Sequence, residues 1–198
     1  MKLKAIASSF LLGVLPTISA AQTVIGSSVI DGRQIEILSD KSWRFKEQSS
    51  SSCRRISVDV EFCGERSGWT FVREADGTTQ FQYSGLNYGE FIVEPIGKKQ
   101  GLTTELMRTV IISNAATAAK VTPKDIPVLS VTTSKVGSSD AETMVYSVDI
   151  SGLKTMFYNT YVIDESNTYQ IVTYRINAVA DKETLDIHDR FLKATTKK

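Results

Sequence analysis

Apolar and polar residues alternate at Gln34-Ile35-Glu36-Ile37-Leu38 and again at Ser42-Trp43-Arg44-Phe45. A period of two puts one face of a strand against a core and the other in solvent. Asp31-Gly32, ahead of the first run, is a hairpin signal, and Ser39-Asp40-Lys41 supplies a second turn. Residues 24–46 therefore predict a small β-meander. Three short strands cannot bury an apolar face by themselves. Ile35, Ile37, Trp43 and Phe45 must be covered either by the rest of this chain or by another protein, which makes them the candidate partner-binding residues. A polar run follows, with Ser49-Ser50-Ser51-Ser52 in a row, and reads as a flexible linker.

Beyond the linker the rhythm is that of a larger domain. Ile56, Val58, Val60 and Phe62 alternate with polar residues. Residues 69–73 and 78–83 flank an Asp76-Gly77 turn and predict a hairpin with Phe81 and Tyr83 on one face. After a loop at 85–89, Phe91-Ile92-Val93 is a short strand stopped by Pro95. At 102–120 the period changes to that of a helix. Leu102, Leu106, Val110 and Met107, Ile111, Ala115, Ala118 recur along it, with Thr103 or Thr104 as its cap and Glu105 in its first turn. Four strand-like runs come after Pro123 and Pro127, at 128–136, 142–150, 155–163 and 169–176. Their connections are short enough to make consecutive strands antiparallel neighbours. Asp181 is the candidate N-cap of a closing helix in which Thr184, Ile187, His188, Phe191 and Leu192 share a face. Hairpin, strand, helix, meander, helix predicts an α+β fold, an α-β-α sandwich about a central antiparallel sheet, preceded by the N-terminal meander.

The first residues read as an address. Lys2 and Lys4 precede an uncharged, mostly apolar run at 5–15, Pro16 ends it, and Ser19-Ala20-Ala21 offers the small residues a signal peptidase reads. The expected cleavage follows Ala21, with Ala20 as second choice. An uncleaved anchor is the alternative, but the run is shorter than the roughly 20 residues of a membrane-spanning helix. The chain divides into a signal peptide at 1–21, a β-ribbon with linker at 22–48 and an α+β domain at 49–198. The leader is of bacterial type, so the expected compartment is the periplasm or the exterior, and the membrane is met only through the leader. Without Lys2 and Lys4, 21 basic residues stand against 22 acidic ones. A near-neutral chain with no basic block argues against nucleic acid or anionic lipid as partner. In an oxidising compartment Cys53 and Cys63 are expected to pair. A straight strand between them would hold their Cα atoms roughly 30 Å apart, whereas a disulfide needs them within about 7 Å. The chain must double back, and the strand pattern at 56–62 cannot run its full length.

Several features carry a resemblance. They are Gly68-Trp69-Thr70-Phe71 with its hairpin to Tyr83, the helix at 102–120, Gly152 between two meander strands, and Tyr169-Gln170-Ile171-Val172-Thr173-Tyr174 leading into the helix at 185–192. Over residues 54–195 this order resembles the PsbP-like fold. The resemblance implies a non-enzymatic accessory or binding role in an exported or organellar assembly, and some bacterial relatives of the fold are immunity or inhibitor proteins. No functional residue is carried over, because no motif matches residue by residue. Outside this region, Asp31-Gly32-Arg33 through Asp40-Lys41-Ser42-Trp43 resembles a short element of other exported bacterial proteins, with Lys41 standing where that element has Gly.

Candidate chemistry is sparse. One histidine and two cysteines cannot supply the three or four His/Cys ligands of a usual zinc site. His188, in Asp186-Ile187-His188-Asp189, has Thr184 one turn earlier on its face rather than an acid or a second histidine, and is expected to be a partly exposed helix residue. No serine stands in a nucleophile elbow. Gly97-Lys98-Lys99-Gln100-Gly101 lacks P-loop spacing and reads as a flexible basic turn. Asp59, Glu61 and Glu65 do not match a calcium loop. No catalytic, metal or cofactor residue is assigned. The expected function is protein–protein contact. The alternative is a small-ligand binder or hydrolytic enzyme with a pocket near His188. A deep polar pocket there would favour the alternative; a filled core with an exposed apolar patch would favour contact.

Overall fold

A computed structural model describes residues 22–30, 33–45 and 53–198. The leader with its cleavage site at Ala21, the Asp31-Gly32 turn, the serine linker and both domain boundaries lie outside the described residues. The N-terminal meander consists of β1 (Val24–Ile30), β2 (Arg33–Leu38) and β3 (Trp43–Phe45), paired antiparallel in that order.

The cysteine pair sets the next step. β4 (Arg54–Arg55) and β5 (Val60–Phe62) pair antiparallel with Arg54 opposite Phe62. That register brings Cys53 and Cys63 face to face, disulfide-bonded with Cα atoms 4.2 Å apart. The alternation at 56–62 survives only at Val60 and Phe62, both buried, while Val58 is 86% exposed in the turn. Ser57 Oγ holds that turn by accepting from the backbone N–H groups of Asp59 and Val60 at 3.3 and 3.1 Å. Closing so short a loop stabilises the fold by about 2.5–3 kcal/mol in the chain-entropy view.

The rest of the chain builds β6 (Thr70–Ala75), β7 (Thr78–Ser84), β8 (Asn87–Glu94), α1 (Thr104–Ala119), β9 (Val128–Val136), β10 (Ser139–Ile150), β11 (Leu153–Ile163), β12 (Thr168–Ile176), α2 (Lys182–Lys193) and β13 (Thr195–Lys197). The strand expected at 91–93 begins at Asn87, so the expected loop before it is a tight turn. Seven strands form one antiparallel sheet in the order β6-β7-β8-β12-β11-β10-β9. Two meanders are thus joined by the pairing of β8 with β12, and α1 carries the chain to the far edge at β9. The fold is α+β.

Strand alternation assigns each helix a face. Tyr161 packs beneath α1 with Met144, Tyr146 and Val148, against Met107, Ile111, Ala115 and Ala116. Its neighbour Val162 points the other way, into the core of Phe62, Trp69, Phe81, Phe91, Ile187 and Phe191 beneath α2. Thr103 caps α1 by accepting from the Leu106 N–H at 3.2 Å, and Lys120 ends it in the left-handed conformation at φ +59°. Asp181 caps α2 by accepting from the Thr184 N–H at 2.8 Å.

Two expectations are corrected here. The chain does not close on α2, because β13 pairs with β5 and completes a second small sheet, β13-β5-β4. The Cys63 N–H donates to the Ala194 carbonyl at 2.8 Å, which ties the disulfide hairpin to the end of α2. The basic turn at 97–101 is not loose either. Residues Lys98–Gln100 form a 3-10 turn whose first two N–H groups donate to the carbonyls of Asp164 and Glu165, both at 2.9 Å.

Candidate functional site

The register of the ribbon decides which of its side chains share a face. Ile35 lies directly opposite Phe45, and Ile37 opposite Trp43. Residues two apart on a strand point the same way, so all four predicted residues stand on one face. The Trp43 and Phe45 rings meet edge to face at 5.3 Å. Trp43 is 54% exposed, Ile35 is buried, and Ile37 and Phe45 lie between. The turn that presents Trp43 is fixed by Asp40, whose carboxylate accepts from the Ser42 N–H at 2.9 Å and from its hydroxyl. Those bonds hold the Asp40 carboxyl below its ordinary range. Lys41 takes φ +66°, the left-handed region that favours glycine.

His188 is not partly exposed but 1% exposed, on the face of α2 that lies against the sheet. Its Nε2 is hydrogen-bonded to Thr160 Oγ1 at 2.7 Å and its Nδ1 to Thr173 Oγ1 at 2.9 Å. Thr160 continues to Thr143 at 2.7 Å and Thr143 to Ser134 at 3.0 Å, so a chain of hydroxyls runs from the imidazole across β11 and β10 to β9. The Tyr158 ring stacks on the imidazole at 5.5 Å, and its hydroxyl bonds Thr184 at 3.0 Å. Burial pushes the His188 pKa down to about 3, so the ring is neutral. The space beside it, lined by Tyr158, Thr173, Thr184 and Ile187, measures about 10 Å³. That is no more than one water needs. The pocket that would make His188 a base or a ligand is absent among the described residues.

Two further clusters escaped the sequence. Arg108 on α1 reaches Glu142 on β10 with both arms, the Nε bond being 2.6 Å, and the Tyr161 hydroxyl donates to the same carboxylate. The guanidinium holds the Glu142 carboxyl below the usual range, while burial raises the Tyr161 hydroxyl. A cleft of about 470 Å³ opens beside them, lined by Leu102, Thr103, Thr133, Glu142 and Tyr161. The carboxylate is already committed to its partners and cannot serve as a free base. The second cluster is a row of rings on the α1 face. Tyr88, Tyr174, Phe157 and Tyr146 stack in turn across β8, β12, β11 and β10 at 5.2, 5.3 and 5.1 Å. Beside it Glu90 has a carboxyl raised by burial, with Arg73 pulling the other way. The first cluster joins α1 to β10 and β11 and the second draws on four strands, so no local signal announces either. Among the described residues, no three of His, Cys, Asp and Glu are placed to hold a metal ion, and no helix is long and apolar enough to cross a membrane.

Comparison with solved structures sets this geometry among known folds. Cyanobacterial PsbP from Synechocystis superposes over 75% of this chain and 98% of its own, with a TM-score of 0.50 and 11% identity. The fold is PsbP-like. At that identity the likeness is one of fold alone. LpqN of Mycobacterium tuberculosis, a protein involved in cell envelope biogenesis, matches 76% of this chain and 86% of its own at TM-score 0.39 and 12% identity. A Bacteroides thetaiotaomicron protein matches 66% of this chain at TM-score 0.42 and 7% identity, and this chain spans only 42% of its length. No protein-family model matches the chain, and no curated protein matches it at a significant level.

Proposed function

We propose that this chain is an exported accessory protein of the periplasm or cell envelope that works by protein–protein contact, without catalysis of its own. One contrast carries the reading. The single histidine, the strongest candidate for chemistry in the sequence, is sealed under α2 with both nitrogens bonded, whereas an indole on the ribbon is 54% exposed. Large aromatic side chains left in solvent on a β-ribbon suit recognition, since they supply contact area at low entropic cost. The leader and the disulfide support export.

The test is affinity recovery from an envelope extract of the source cells, using the exported chain and its Trp43→Ala/Phe45→Ala double variant. The expected result is a partner enriched by the unaltered chain and reduced at least tenfold by the variant, with an unchanged unfolding midpoint. Equal recovery by both chains, or a turnover that disappears in a His188→Gln variant, contradicts the proposal.

A further inference from the structure

We infer that β9 is a docking edge for a second copy of this chain, pairing antiparallel with its own counterpart to continue the central sheet. β9 is a terminal strand of the seven-stranded sheet. Every residue from Val128 to Thr133 is exposed, with Val128 at 45%, Leu129 at 52% and Val131 at 38%, while β13 packs against β9 near the Gly137 turn that follows it. A sheet edge offers unpaired N–H and C=O groups, and folded proteins blunt such edges with charges, bulges, prolines or cover. The opposite edge obeys this rule. β6 carries Arg73 and Glu74, its register breaks between Phe71 and Arg73, and the Arg54 guanidinium lies over Phe71 at 3.8 Å. β9 has one charged residue, Lys135, already paired with Asp140 at 3.3 Å. Its own irregularity falls at Leu129 and leaves 130–136 in regular register.

The strand is also complementary to itself, which selects the occupant. Antiparallel pairing about Thr132 sets Thr132 opposite Thr132, Val131 opposite Thr133 and Ser130 opposite Ser134. Leu129, at the bulge, lies outside this regular register. No like charges meet, and without Lys2 and Lys4 the chain carries 21 basic against 22 acidic residues, a balance that brings little long-range repulsion to a second copy. A partner with a charged edge would find only Lys135 along β9, already paired with Asp140.

Two variants test this in the exported chain. Sedimentation equilibrium is expected to show a concentration-dependent dimer, with Val131→Lys weakening it at least tenfold. A Thr132→Cys chain is expected to form an interchain disulfide under mild oxidation. Directly opposed residues on antiparallel strands lie about 4.5–5.5 Å apart at Cα, within disulfide reach. Thr117→Cys, exposed on α1, is the control and should not cross-link. A monomer at every concentration overturns the inference. So does a dimer that ignores Val131→Lys, or a Thr132→Cys chain that fails to cross-link. Should Val131→Lys fail to fold, the cross-link at position 132 decides alone.

Discussion

Phe191→Ala is expected to cost about 3–5 kcal/mol of stability, the range for deleting a fully buried aromatic ring. Phe191 has no exposed surface and lies where α2 meets the sheet. Its ring is 4.5 Å from those of Phe62 and Trp69 and 5.0 Å from that of Phe91. One ring thus joins the disulfide hairpin, the first strands of the sheet and the last helix. Gly89 on β8 makes room for it: a Cβ there would sit 2.5 Å from the Phe191 ring. Gly89→Ala is therefore expected to destabilise by overpacking, by about 1–3 kcal/mol. In the double variant the alanine methyl occupies space the ring has left, so the combined loss should fall below the sum of the two. Urea denaturation of the four chains measures this coupling. Strict additivity would show that Phe191 and Gly89 do not share that space.

The second large effect is a dependence on pH. His188 takes up a proton near 6.5 when free and only near 3 in the fold, because burial penalises its charge. Below pH 6.5 the unfolded chain binds a proton that the folded chain refuses, so stability is full above 6.5 and falls as the pH drops toward 3. Between pH 7 and pH 5 the expected loss is about 2 kcal/mol. The lowered carboxyls of Asp40, Glu61, Glu105, Glu142 and Asp181 lose their contribution only at lower pH. Glu90 acts with the opposite sign, since its raised carboxyl favours the folded state as the pH falls. The difference between the unaltered chain and His188→Gln isolates the histidine. Denaturation midpoints at pH 7 and pH 5 should diverge for the first and stay closer for the second. Equal slopes would mean that His188 is solvated.

Much of the fold is written locally, and what is not local is what went unread. The α1 helix shows in its spacing and its Thr103 cap, the four-strand meander in its alternation and short turns, and the closing helix in Asp181 and the Thr184, Ile187, His188, Phe191 face. The disulfide was legible through the oxidising compartment that the leader implies, and the hairpin followed from it, because cysteines ten residues apart cannot come within 4.2 Å at Cα unless the chain doubles back. The pairing of β8 with β12 leaves no mark in either segment, since both are apolar and β-rich. β13 is three polar residues whose strand character comes wholly from β5. The burial of His188 depends on Thr160, Thr173 and Tyr158, which arrive from other strands. A period of two marks the ribbon residues as apolar positions of strands, and the β2–β3 register is what sets all four on one face. What touches that face cannot be read from a pattern, because it depends on a surface outside the segment.

Trp43 therefore offers the most direct measurement. A photo-reactive phenylalanine analogue placed at position 43, in the exported chain expressed in the source cells, reports what lies within a few ångströms of the ribbon face on irradiation. The account predicts a single heavier adduct with a distinct protein, absent when the same probe sits at Thr117 on the outside of α1. A probe at position 43 that yields only adducts within its own chain, or none, would contradict it and leave the ribbon as a cover for its own domain.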